Sequence, residues 1–401
     1  MLICARGLLS AGWLEEVGQL LVTYGHFVES GTIPNTIHGE DASNRDTSDA
    51  PLWYGLVCEE AATARQTHRF ALKAAASGVS PEGVAQLQPE ESPEYLYATE
   101  VDSGGRKIAD VLREIAVNYI RGTPNGIRMD PASGLIWSPS HFTWMDTNYP
   151  AGTPREGYPV EIQVLWIRLL RQLAELKALA TGESWEELAS RAEASWHKYF
   201  WLEDRGYLAD LLIAQRHEPA ASAQVDTALR SNYLLAISLG LLTGDRARRG
   251  VDAAMRYLVV PGAVRSLAPL PVSPSLPIRG HDGVLLNVPS EPYWGRYEGE
   301  EDARRKPAYH NGTAWTWTLP IFCEALARAW NFDPAAVAAA RAYLGSMDQL
   351  LTEGCRGQLP EIVDGDAPHA QRGCDAQAWG ATEALRVWKL LNSAATKTTD
   401  N

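Results

Sequence analysis

His141-Phe-Thr-Trp144-Met-Asp146 runs on through Thr153-Pro-Arg155 and Pro159-Val-Glu161-Ile-Gln163 straight into an amphipathic run. Beyond it, Ile162, Leu165, Trp166, Leu169 and Leu173 fall on one stripe, which predicts a helix over about 159–180. A second stretch of the same kind lies far away: Leu359-Pro-Glu361-Ile-Val-Asp364-Gly-Asp366-Ala-Pro-His369, then Gly373-Cys-Asp-Ala-Gln377-Ala-Trp379. Each is an acid-bearing loop with a tryptophan nearby that feeds a helix. Two such loops, once brought together, suit a neutral polyol such as a sugar, with aromatic faces on its C–H surfaces and carboxylates for proton transfer.

Working outward, helical spacing recurs over 2–10, 12–29, about 50–77, 103–122, 183–200, 225–242, 245–258, 313–331, 333–353 and 374–392. Pro51 falls in the first turn of its helix, where a missing N–H is harmless, and Ser48 or Asp49 is the candidate cap. Asp49 reads equally as a sugar contact. Gly78 to Pro93 reads as a surface connection, and residues 125–137 as a short hairpin. Residues 259–308 form a long irregular loop, and 394–401 a disordered tail. No repeat of solenoid period is present. The expectation is one all-α domain over 1–401, built from paired helices with short turns on one rim and motif-bearing loops on the other.

A chain of 401 residues with 45% hydrophobic content can bury a large core. Its formal net charge of −13 argues against a nucleic-acid partner, which needs a basic face. Five cysteines, at positions 4, 58, 323, 355 and 374, are an odd number without metal-ligand spacing, so a reducing cytoplasm is expected and a disulfide framework or zinc site is not. No Gly-rich phosphate loop or His/Cys cluster calls for a cofactor. The longest apolar run, Leu234 to Leu242, is far short of the roughly 20 residues that span a bilayer. The apolar start lacks a basic n-region and cleavage site, so no signal peptide is expected. Oligomeric state is left open.

Glycoside hydrolysis needs one carboxylic acid to protonate the leaving oxygen and one carboxylate as base or nucleophile. A separation of about 6.5–9.5 Å leaves room for water and inverts the anomeric centre. Asp146 and Glu361 are the candidate pair, Asp146 as acid because Trp144 beside it desolvates the carboxyl and raises its pKa. Taken singly, either residue reads as a solvated surface group; the weight comes from the motifs around them.

Five ordered motifs then resemble one family: Asp49-Ala-Pro-Leu-Trp53; Thr143-Trp-Met-Asp146; Thr153-Pro-Arg155 with Pro159-Val-Glu161; Tyr309-His310-Asn-Gly312-Thr-Ala-Trp315; and Glu361-Ile-Val-Asp-Gly-Asp366 with Gly373-Cys-Asp-Ala-Gln377-Ala-Trp379. The chain is similar to the C-terminal catalytic domain of glycogen debranching enzymes, the amylo-α-1,6-glucosidases. The resemblance implies an (α/α)6 toroid-type helical barrel and inverting hydrolysis of the α-1,6-linked glucose at glycogen or limit-dextrin branch points. It makes Asp146 the general acid and Glu361 the general base. Asp49, Trp53, Trp144, Arg155, Glu161, His310, Trp315, Gln377 and Trp379 become walls and hydrogen-bonders of the glucose pocket. His310 reads equally as a buried imidazole, and Trp315 and Trp379 as core residues. Arg230-Ser-Asn232 stands where the family tends to have Arg-Pro-Asn. The family's Gly/Trp-rich segment ending in Gly-Arg-Asp would precede Met1, and a closed toroid has twelve helices against the ten or eleven read here, so the N-terminal edge of the domain is expected to be missing. Alternative readings are a toroid glycosidase for a small α-glucoside or mannoside, a catalytically inactive glucan-binding homologue, and a helical scaffold with no sugar site.

Overall fold

Local signals place most helices where the spacing predicts them. Ser184 accepts from the N–H of Glu187 (3.2 Å) while the Glu187 carboxylate takes the N–H of Ser184 (3.1 Å), a reciprocal cap that starts its helix. Asp333 accepts from the N–H of Ala335 (2.9 Å) just before Pro334, which opens another. The computed structural model describes residues 1–37, 42–76, 94–147, 152–178, 180 and 182–399. Its helices in chain order are α1 (Leu2–Ala11), α2 (Leu14–His26), α3 (Ala50–Ala76), the single turn α4 (Glu94–Tyr97), α5 (Ile108–Arg121), α6 (Val160–Glu175) and α7 (Trp185–Phe200). They continue with α8 (Leu234–Ser238), α9 (Gly244–Tyr257), the short α10 (Lys306–Tyr309), α11 (Thr318–Ala329), α12 (Pro334–Gly345), α13 (Asp348–Thr352) and α14 (Ala378–Thr399).

Six of these pack in succession: α1 on α3, α3 on α6, α6 on α8, α8 on α11, α11 on α14, and α14 back on α1. The last contact is close, because a Cβ on Gly7 of α1 would lie 2.2 Å from the carbonyl oxygen of Thr382 on α14. A second set covers them, with α2 on α3, α5 and α7 on α6, and α9 and α12 on α11. Trp166 of α6, Trp196 of α7 and Phe322 of α11 are among the fully buried side chains of the core.

Short antiparallel sheets carry the loops. The expected hairpin forms from β1 (Arg128–Met129) and β2 (Ile136–Trp137). β3 (Gly157–Pro159) pairs with β6 (Leu211–Ile213), which pairs with β7 (Gln224–Asp226); β4 (Trp201–Leu202) pairs with β5 (Tyr207–Leu208). A five-stranded sheet runs β12 (Gln371–Arg372), β11 (Ile362–Val363), β10 (Ala314–Trp315), β9 (Ala263–Arg265) and β8 (Val259–Val260). It sets Trp315 directly opposite Ile362, so residue 361 emerges beside the residues that precede α11.

Several boundaries differ from the sequence reading. Residues 225–242 are not one helix: 224–226 join a ladder, the Asp226 carboxylate takes the N–H of Ala228 (2.9 Å) in a turn that competes with helix, and only 234–238 are α-helical. The run over 333–353 breaks between Gly345 and Asp348. The stretch from 259 begins with two paired strands before its irregular part. α14 continues to Thr399, through most of the stretch read as a tail from 394; residues 400–401 lie outside the described residues. So does the whole of the Gly78–Pro93 connection. Among the described residues no helix is long and apolar enough to cross a membrane.

Candidate active site

The loop that leads into α6 is pinned by alternating side chains. Met145 is fully buried, and the Trp144 indole N–H donates to the Asn232 side-chain oxygen (2.7 Å). With these two preceding residues anchored, Asp146 lines a cleft of about 250 Å³. Asp49, Trp53, His310, Trp315, Glu361 and Trp379 line the same cleft, together with Tyr309 and Asn35. That volume falls below the roughly 300–1,000 Å³ of pockets for drug-sized ligands.

Glu361 is the most firmly held carboxylate there. Its Oε1 accepts from the Tyr309 hydroxyl (2.6 Å) and from Gln377 Nε2 (2.9 Å), and its Oε2 from the N–H of Cys374 (3.0 Å). These three donors fix the orientation of both carboxyl oxygens. Asp146 differs: desolvation pushes its carboxyl above the ordinary aspartate range, against hydrogen bonds from its own backbone and from Asn35. Tyr309 lies between the two acids, its phenol raised by burial first and then by Glu361, with Asp146 contributing.

Asp49 is a third carboxyl in the cleft, 8% exposed. Burial raises it to about 6, with the Thr47 hydrogen bond (2.7 Å) opposing and the charge of Asp146 adding to the rise. Asp49 holds the cap position expected of it, its carbonyl accepting from the N–H of Trp53 (2.8 Å), and the Thr47 hydroxyl oxygen also accepts from the N–H of Ala50 (3.2 Å).

Trp144 is the hub of an aromatic cluster. It meets Trp315 (5.0 Å between centroids), Trp317 (5.1 Å) and His310 (5.5 Å) edge-on. His310 stacks on Trp315 (5.2 Å), and Trp317 on Trp379 (5.1 Å). His310 is both buried and at the cleft. Its pKa is held well below the usual range by burial and then by the charges of Arg230, Arg155 and His141, so the ring is neutral. Its Nε2 meets the Thr147 hydroxyl (3.1 Å), and Nδ1 has no partner among the described residues.

Arg155 and Glu161 are not brought to this cleft. Arg155 donates from Nε to Asp210 (2.8 Å), from Nη1 to Thr143 (2.9 Å) and Glu161, and from Nη2 to Glu161 (2.7 Å), all buried. Glu161 instead lines a small void bounded by Trp53, Trp144 and Trp317. A guanidinium with two buried carboxylates has no donor left for a sugar, so this pair braces the aromatic wall. Gln377 touches Glu361 rather than lining the cleft. Four participants escape the sequence reading of the site: Tyr309, Trp317, Asn35 and Asp210. Tyr309 and Trp317 stand within two residues of expected site residues, a usable signal; Asn35 and Asp210 have none nearby.

A family model described as amylo-alpha-1,6-glucosidase matches residues 1–273 and 285–386, nearly the whole chain. The chain belongs to that family. It is thereby a glycoside hydrolase by family, in keeping with the paired carboxyls of the cleft. No curated protein matches the sequence significantly. Among solved structures, a mannosylglycerate hydrolase from Thermus thermophilus superposes with a TM-score of 0.54 at 16% identity, covering 97% of this chain and 92% of that one. A rhamnosidase from Klebsiella oxytoca gives 0.51 at 13% identity, covering 96% of this chain and 57% of its own. At such identities the likeness concerns the fold alone.

Proposed function

We propose that the amylo-α-1,6-glucosidase-type cleft of this chain hydrolyses α-1,6-linked glucose at glycogen or limit-dextrin branch points with inversion. The observation that carries this is the presence of Asp146 and Glu361 on one tryptophan-walled cleft, the first with a desolvated carboxyl and the second held by three hydrogen-bond donors. Asp146, its carboxyl raised by desolvation, protonates the glycosidic oxygen as the bond to the anomeric carbon breaks. Glu361, held by three donors, takes a proton from a water that attacks the opposite face of that carbon. Trp379 supplies a face for the glucose ring, with Trp315 as the buried wall behind it and Asp49 and Trp53 at its edge. The same reading treats the chain as one (α/α)6-type toroid domain, supported by the circuit of helix contacts from α1 round to α14 and back.

The test is release of free glucose from a phosphorylase limit dextrin, with Asp146→Asn and Glu361→Gln run beside the parent. Loss of one member of such a pair removes roughly 10²–10⁴-fold of rate, and the first product is expected as the β-anomer. Turnover surviving at full rate in either variant sinks the assignment. A folded parent that binds dextrin without turnover moves the reading to a glucan-binding homologue.

A further inference from the structure

A second cleft, of about 370 Å³, opens where the end of α5, the β1–β2 hairpin and the turn after β6 meet. It shares no lining residue with the candidate active site. Its wall carries Arg121, Arg128 and Arg216 with His217, and Trp137 and Tyr158 line it as well. In a chain of formal net charge −13 this clustering of cations is unusual. Arg6, Arg155 and Arg386 are each held by buried carboxylates, whereas no ion pair joins Arg121, Arg128 or Arg216 to an acid among the described residues.

Two acids in the wall, Asp130 and Glu218, offset part of this charge, and both are held by neutral donors. Asp130 is occupied by the Ser133 hydroxyl (2.6 Å) and by the N–H groups of Ala132 and Ala220 (3.3 Å each), and Glu218 takes the N–H of Gln215 (2.9 Å). The frame is fixed by the fold. Arg128 stands opposite Trp137 in the hairpin register, so both side chains leave the same face. The Trp137 indole donates to the Ala214 carbonyl (3.0 Å) and the Tyr158 hydroxyl to that of Glu218 (2.7 Å), which ties the turn bearing Arg216 and His217 to the hairpin and to β3. Three guanidiniums against two carboxylates leave this small cleft with an excess of formal positive charge, and their planar forks match phosphate oxygens in pairs. The volume suits a small molecule.

We propose that this cleft binds a phosphate-bearing small molecule, inorganic phosphate or a hexose phosphate, through Arg121, Arg128 and Arg216. The proposal stands apart from the reading of the catalytic cleft. Calorimetric titration of the whole chain at low ionic strength with inorganic phosphate and with glucose 6-phosphate tests it, against the double variant Arg128→Gln/Arg216→Gln. Both side chains are exposed, and circular dichroism checks that the variant folds. The parent is expected to bind at least one probe, the variant at least about tenfold more weakly, and the difference to shrink with added salt. Tighter binding of glucose 6-phosphate identifies a sugar phosphate; equal or tighter binding of inorganic phosphate identifies phosphate itself, and both uphold the site. Binding of neither probe at millimolar concentration, or equal binding by parent and variant, overturns it.

Discussion

Asp49 shows how much one carboxyl can reveal. Its pKa of about 6 lies above the unfolded value, so the folded state resists its ionisation. The sign follows: stability present below pH of about 3.9 declines as pH rises towards 6. Asp49→Asn should therefore unfold at higher urea than the parent at pH 7, by about 1–3 kcal/mol, with the advantage vanishing near pH 4. The charge of Asp146 acts on Asp49, so the two carboxyls are electrostatically coupled. Asp49→Asn should move the alkaline limb of the proposed activity to lower pH, and an unmoved limb would show that the two carboxyls do not couple. That Asp49 lines one cleft with Asp146 follows the motif Asp49-Ala-Pro-Leu-Trp53; that the Thr47 hydroxyl would also accept at this helix start was not readable, since Thr and Asp are both good caps on local grounds.

Among the elements, the contact of α1 with α14 is the tightest joint. Gly7 is required there because α14 brings the Thr382 carbonyl to 2.2 Å from where a Cβ would stand. Gly7→Ala must push the two helices apart, an overpacking loss of about 1–3 kcal/mol visible in chemical unfolding. Gly345→Ala at the end of α12, with nothing within 4 Å of the new carbon, is the control and should be neutral or slightly stabilising. Equal stability of the two variants would mean the α1–α14 approach is wrong. Helix existence was largely legible, because stripes such as Ile162, Leu165, Trp166, Leu169 and Leu173 encode a buried face. The stretch over 225–242 misled because a ladder partner, β6, decides the state of residues 224–226 and spacing carries no trace of it.

At the scale of the molecule, the first and last helices are joined electrostatically as well. Arg6 of α1 reaches Glu60 of α3 (2.7 Å) and Glu383 of α14 (3.2 Å), and Arg386 of α14 reaches Glu383 (2.8 Å) and Glu324 of α11 (2.7 Å). Burial alone would raise Glu324; Arg386, then Arg328 and Arg6, overcome it and hold it down to about 2. A depressed acid stabilises above its unfolded pKa and loses that contribution as pH falls, here between about 4.5 and 2, by roughly 3 kcal/mol. Arg386→Met leaves Glu324 and Glu383 short of a partner and should lower neutral-pH stability by about 3–5 kcal/mol, while flattening the acid limb of an unfolding-against-pH curve. A parent-like acid limb in that variant would remove the network from the account of stability.

Sequence alone determined most of the helices, which loops carry acids beside tryptophans, and the family those motifs resemble, because apolar spacing and short motifs are local properties. Only the tertiary structure decided which donor meets which carboxylate. Arg155 and Glu161 are consumed by each other and by Asp210, behind the aromatic wall, while Tyr309, Gln377 and the Cys374 amide converge on Glu361. Such pairings join residues as distant as Arg6 and Glu383, 377 positions apart. They are fixed by how helices pack and by the expense of leaving a buried charge unpaired, quantities that no window of sequence contains.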